Sequence, residues 1–218
     1  MEPTTDRLKT PRAAGLAGIA FALLLAAAIV LMRIAVPSGD AAEAPIAPDR
    51  RWAVRVALEI VPFAGIFFLW FMGALRAHTG EAEDRFIATV FLGSGFVFVA
   101  TLFASAAAAG TVLEESTPSD FGRHFAYTLL STYAMRMASV FVLATSTIGR
   151  LLGVFPRWLA LLGTVVGLVL LVVGSGMPWS ELLFPAWALI VSVHVLRARR
   201  GTARTAPAAT RPDPPAPS

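Results

Sequence analysis

The amino-acid sequence predicts an all-α fold, a polytopic bundle of six transmembrane helices. Three observations carry that reading. Hydrophobic residues make up 56% of the chain and the mean hydropathy is +0.70. Charged residues make up 15%, against roughly 25% in soluble domains, which leaves too few polar groups to cover a globule of 218 residues in water. The apolar residues are also gathered into runs close to the roughly 20 residues that cross about 30 Å of hydrocarbon.

The first run occupies residues 13–36, and 13–32 carry no charge. Arg7, Lys9 and Arg12 precede it, a pattern shared with signal peptides. Signal-peptide cores are roughly 7–15 residues long, so this longer run is read as a retained span. A polar connector leads to the second span, 52–75, where Pro62 and Gly65 are internal. Proline removes a backbone hydrogen bond and crowds the preceding turn, so a kink is expected. A charged loop at 76–85 precedes the third span, 86–110, and no charge falls between Arg85 and Glu114.

An acidic loop holding Glu114, Glu115 and Asp120 opens the fourth and most polar span, 124–148. A short loop ending at Pro156 leads to the fifth, 158–173. The stretch Gly174-Ser175-Gly176-Met177-Pro178 turns the chain into the sixth, 178–196, which Glu181 and Pro185 interrupt. Residues 1–12 form an N-terminal tail. Residues 197–218 are basic, proline-rich and free of aromatic residues, a composition expected to be disordered.

Orientation follows from the cations. With both termini in the cytoplasm, twelve of the 18 Lys and Arg residues lie on the cytoplasmic side. The outer loops hold Arg50, Arg51 and Arg123, and Arg33, Arg55 and Arg136 lie within or beside helices. This is the positive-inside bias of a bacterial inner-membrane protein. Because the cations sit at helix ends and in the tails, the net charge of +4 is explained by topology. The lipid bilayer is the expected partner, with a membrane-protein partner or a homo-oligomer beside it, and no nucleic acid.

Ionisable residues at membrane depth are costly, so they come first as functional candidates. Arg55 and Glu59 are four apart and share a face of the second helix. Arg55 lies close enough to the outer interface to snorkel. Arg136 falls roughly 18 Å from His124, near the bilayer middle. Thr128, Thr132, Arg136 and Ser139 follow helical spacing on one stripe, expected to face protein or water. An interhelical Arg136–Glu59 pair is the sharpest structural expectation.

Other chemistry is excluded more directly. The absence of cysteine removes thiolate metal sites, iron–sulfur clusters and cysteine nucleophiles. His78, His124 and His194 fall at different levels and sides, so no shared haem or metal site is expected. The Glu81, Glu83, Asp84 and Glu114, Glu115 groups lack metal-ligand spacing. Leu92-Gly93-Ser94-Gly95 and Val173-Gly174-Ser175-Gly176 lack the first glycine of an intramembrane serine protease motif. The lone lysine, Lys9, lies in a tail, which excludes a retinal Schiff base inside the membrane. No catalytic set assembles on one face, and no cofactor is expected.

Spacings that let helices approach closely occur at Gly163 and Gly167 in the fifth span and at Ala14 and Gly18 in the first. Packing within the bundle is the preferred reading over dimerisation. Trp52, Trp158 and Trp179 fall at helix ends, as interfacial anchors do. Trp70 and Trp187 lie deeper and are expected to be packing residues.

Arg12-Ala13-Ala14-Gly15-Leu16 opens the first span, and Leu152-Gly153-Val154-Phe155-Pro156-Arg157-Trp158-Leu159, followed by Gly163, leads into the fifth. These motifs resemble those of a broad class of six-helix bacterial membrane proteins common in actinobacteria. This chain departs from the class pattern at Ala160, where the class has glycine. The resemblance implies the six-helix layout and carries no activity. The expected function is an integral membrane protein of structural or accessory type. The alternative is a small transporter or channel built on Arg136 and Glu59.

Overall fold

The computed structural model describes residues 10–35, 48–79, 85–114, 120–173 and 179–202. The expected tails at 1–9 and 203–218, the connectors and the Gly174–Pro178 turn lie outside the described residues. Among those described, every regular element is helical. They are α1 (Thr10–Ala35), α2 (Arg51–Thr79) behind a 3₁₀ turn at Pro48–Arg50, and α3 (Arg85–Glu114). Then come α4 (Asp120–Thr128), α5 (Met135–Leu151), α6 (Arg157–Val172) and α7 (Leu183–Thr202). A π-helical segment, Leu129–Ala134, joins α4 to α5 without a break, so the seven segments make six long helices.

Five of these are long and apolar enough to cross a membrane: Gly15–Ala35, Arg51–Arg76, Phe86–Glu114, Phe121–Leu151 and Ser180–Arg197. The sixth, α6, is apolar throughout but has 16 residues, about 24 Å at helical rise. Each helix follows from its composition. Ala and Leu dominate α1, and both are strong helix formers. Helix α2 continues through Pro62, because a membrane leaves the backbone no better partner than its own turns.

Helix ends obey local chemistry. Gly153 takes the left-handed conformation (φ 66°) just past α5, where a side chain would be strained. Phe155 N–H then donates to Gly149 O at 2.9 Å. A Cβ on Gly149 would lie 2.2 Å from the Phe155 ring, so this turn requires glycine there. Pro156, extended at ψ 154°, releases the chain into α6.

The last span starts later than its hydropathy predicts. A 3₁₀ turn, Ser180–Leu182, precedes α7, and Trp179 before it adopts φ 70°. Pro185 therefore lies in the first turn of α7, where its missing N–H has no helical partner to lose. At the other end α7 continues to Thr202, six residues into the stretch expected to be disordered. The Arg-Ala-Arg-Arg run favours helix, and no proline intervenes before Pro207.

Helix α1 packs against α2 and α7, α3 against α2, α4 and α5, and α6 against α5 and α7. Their common centre is aromatic. Phe68 has ring centroids 4.9 Å from Phe21, 5.0 Å from Phe98 and 4.9 Å from Phe141. Phe98 meets Phe184 at 5.1 Å, and Trp187 closes the group against Phe141 at 6.4 Å. All six rings are buried. Five helices each send at least one ring into this cluster, mostly in tilted or edge-on arrangements that suit the ring quadrupoles.

The glycine spacings serve this packing. A Cβ at Gly163 would lie 1.9 Å from Ser146 Oγ and 2.8 Å from Trp187 Nε1, and one at Gly167 would lie 2.7 Å from Leu143. Both glycines thus face α5 inside the bundle. Gly18 likewise faces Ser192 of α7 and Phe71 of α2. Trp187 is buried as expected, but Trp70 is not. It occupies the face of α2 opposite Phe68 and Phe71, stacks edge-on with Phe67 at 5.7 Å, and points outward.

Candidate functional site

Polar groups enter this apolar bundle in two ways, and the difference decides their meaning. Most buried hydroxyls are satisfied within their own helix. Ser146 donates to Val142 O, Ser192 to Ala188 O and Thr145 to Phe141 O, each at 2.7 Å. Such back-bonding hides a hydroxyl from lipid without another helix. Ser105 is different: it donates across to Ala126 O at 2.8 Å, fastening α3 to α4.

Charge is handled at one end of the bundle. Arg33 Nη2, in the last turn of α1, donates to Glu181 Oε2 in the 3₁₀ turn before α7 at 2.9 Å. Both side chains are shielded, at 14% and 5% exposure. Nearby, Arg50 donates to Ile34 O at 3.3 Å, and Arg51 donates to Leu113 O at the end of α3. Ala35, Ala53, Val54 and Leu113 pack beneath. These arginines tie α1, α2, α3 and α7 together at one membrane face. Arg33 and Glu181 were absent from the expected site. The available signal was that each is an isolated charge in an apolar span, at ends that antiparallel threading brings together.

The expected intramembrane residues lie elsewhere. Arg55 and Glu59 are exposed on α2, and Arg136 is exposed on α5. Among the described residues the ion pair is Arg33–Glu181; Arg136 and Glu59 do not meet within the chain. Helices α2 and α5 do touch, through Phe68 and Phe141 at the centre, but both charges point away from that contact.

The expected polar stripe also divides. Thr128 and Arg136 are exposed, Thr132 is half-buried, and Ser139 is buried with its hydroxyl on Arg136 O at 2.7 Å. A π-helical segment lies between Thr128 and Arg136. Its wide turn is marked by Met135 N–H bonding Leu130 O, five residues back. Eight α-helical residues would leave Thr128 and Arg136 about 80° apart. Six wider steps of roughly 80° bring them to within about 40°. Tyr127 and Tyr133 are exposed on the same stretch.

Levels along the bundle can be measured from a shared contact. Helices α2 and α5 meet where the Phe68 and Phe141 rings lie 4.9 Å apart. Glu59 is nine residues before Phe68 and Arg136 is five before Phe141, or about 14 Å and 8 Å at helical rise. The two opposite charges thus sit within about 6 Å of one level, on two outward faces.

Of the histidines, His124 is exposed at the start of the fourth span, while His194 packs edge-on to Trp158 at 6.1 Å. His78 lies where side chains are not described. Among the described residues no cluster has the composition of a metal site. Comparison with protein-family models, curated proteins and solved structures gave no match.

Proposed function

We propose that the protein is a six-span integral membrane protein of the bacterial inner membrane, with both termini cytoplasmic, acting as an accessory or structural component through lateral association. The observation that carries this reading is Arg136, a guanidinium near the middle of a 31-residue span that faces outward. A charge at that depth facing lipid costs several kcal/mol and normally turns inward or meets a partner. Thr128, Tyr127 and Tyr133 beside it add hydrogen-bonding groups to the same surface. The orientation rests on the cation count, and the sixth span is the short helix α6.

The transporter reading needs a polar path through the bundle. The centre is instead filled by Phe21, Phe68, Phe98, Phe141, Phe184 and Trp187. Two measurements test the proposal. Purified protein in liposomes should pass no ions, protons or anions; flux abolished by a folded Arg136→Ala variant would establish transport instead. A photo-crosslinker placed at Tyr133 in native membranes should give one adduct of discrete mass. Lipid adducts alone would sink the lateral-association reading.

A further inference from the structure

We propose that the partner at this surface is a second copy of the same chain, with Glu59 on α2 of one copy pairing with Arg136 on α5 of the next. The inference rests on the lateral-association reading above and names its occupant.

Two independent features point to it. The first is charge. Both groups lie at membrane depth on outward faces, carry opposite signs, and are without an ion pair among the described residues. Their levels differ by about 6 Å, within reach of an arginine side chain. Copies of one chain share their orientation in the membrane, so α2 of one copy lies parallel to α5 of its neighbour.

The second is shape. Below Glu59, the exposed face of α2 continues through Phe63, Ile66 and Trp70. Below Arg136, an open groove of about 170 Å³ between α3 and α5 is lined by Val90, Val140, Leu143 and Thr147, among others. Counting from the charged residue, the α2 face has positions 0, +4, +7 and +11. Val140, Leu143 and Thr147 follow Arg136 by the same steps. Positions so spaced form one stripe on each helix. A parallel docking that pairs the charges therefore sets Phe63 and Ile66 against the groove. In lipid, close packing and interhelical polar contacts drive such association.

The contact uses different faces on the two copies, so it is heterologous. Each copy keeps one free face of each kind, and association continues until the rotation closes a ring or an array forms.

The chain has no cysteine, so introduced thiols report cleanly. Val56 and Tyr133 are exposed one turn outward of Glu59 and Arg136, with the same offset in level. Differently tagged Val56→Cys and Tyr133→Cys chains are co-expressed and treated with a short bis-maleimide in native membranes. A mixed-tag dimer is expected. Glu59→Arg or Arg136→Glu in both tagged chains should lower its yield about tenfold. The two reversals combined should restore the yield, because every contact is then paired again. Thermal unfolding of each purified variant checks that it is folded. Undiminished crosslinking in the folded single reversals overturns the pairing. A Tyr133 photo-adduct whose mass belongs to another protein overturns self-association but leaves the lateral-association reading intact. Lipid adducts alone overturn both.

Discussion

Arg33 and Glu181, 148 positions apart in sequence, share a 2.9 Å hydrogen-bonded ion pair that joins the end of α1 to the entry of α7. The pair closes the bundle's first helix onto its last. It also accounts for a carboxylate in an otherwise apolar span, since a buried charge persists only when paired. What the pair contributes is asymmetric. Removing the carboxylate takes the counter-charge from a shielded guanidinium, whereas removing both leaves an apolar contact.

Glu181→Ala should therefore destabilise the protein by roughly 3–5 kcal/mol, the cost of taking the carboxylate away from a shielded arginine. The double variant Arg33→Leu with Glu181→Leu should recover most of that loss. Unfolding in mild detergent, followed by tryptophan fluorescence, separates the two. Equal destabilisation of the single and double variants would show that the ion pair is not the source.

Arg136→Leu should behave in the opposite way. Among the described residues no carboxylate pairs with Arg136, so purified monomer should unfold within about 0.5 kcal/mol of wild type, as surface replacements do. In membranes the same variant should lose its crosslinked partner. A monomer destabilised as much as Glu181→Ala would place Arg136 in the bundle's own framework.

Phe68→Ala removes a ring that contacts Phe21, Phe98, Phe141 and Phe184. The expected loss is roughly 3–5 kcal/mol, as for buried aromatic truncations in general. Trp70→Ala, two residues on and on the outward face, should cost far less. A comparable loss for both would mean that the outward face is covered in the purified protein.

Gly163→Ala places a methyl group where Ser146 Oγ and Trp187 Nε1 already converge. Overpacking of this kind costs roughly 1–3 kcal/mol. Adding Ser146→Ala should relieve part of it, because the nearest atom is that hydroxyl. Failure of the second change to rescue melting temperature would place the clash on Trp187.

The helices themselves were legible, because crossing a membrane imposes a length and a composition that appear directly in the residue order. Each expected span has a helix within a few residues. The clearest exceptions follow local backbone chemistry. Pro185 is admitted by a first-turn position that hydropathy cannot see, and α7 extends into its basic tail through good helix formers. The face of each polar residue was less legible. Thr128, Thr132, Arg136 and Ser139 form one stripe on an ideal helix, but a π segment between them changes the turn per residue.

By itself, then, the sequence determined a chain of apolar helices, their approximate ends and the close approach at Gly163 and Gly167. Those features depend on local spacing and on side-chain chemistry. The tertiary structure decided which charges meet. Arg33 found Glu181 because threading placed α1 beside α7, while Arg136 and Glu59 were turned outward, on separate helices, around an aromatic centre that left no room for charge. Pairing depends on which helices become neighbours and on their rotation, and both are set by packing between residues far apart in the chain.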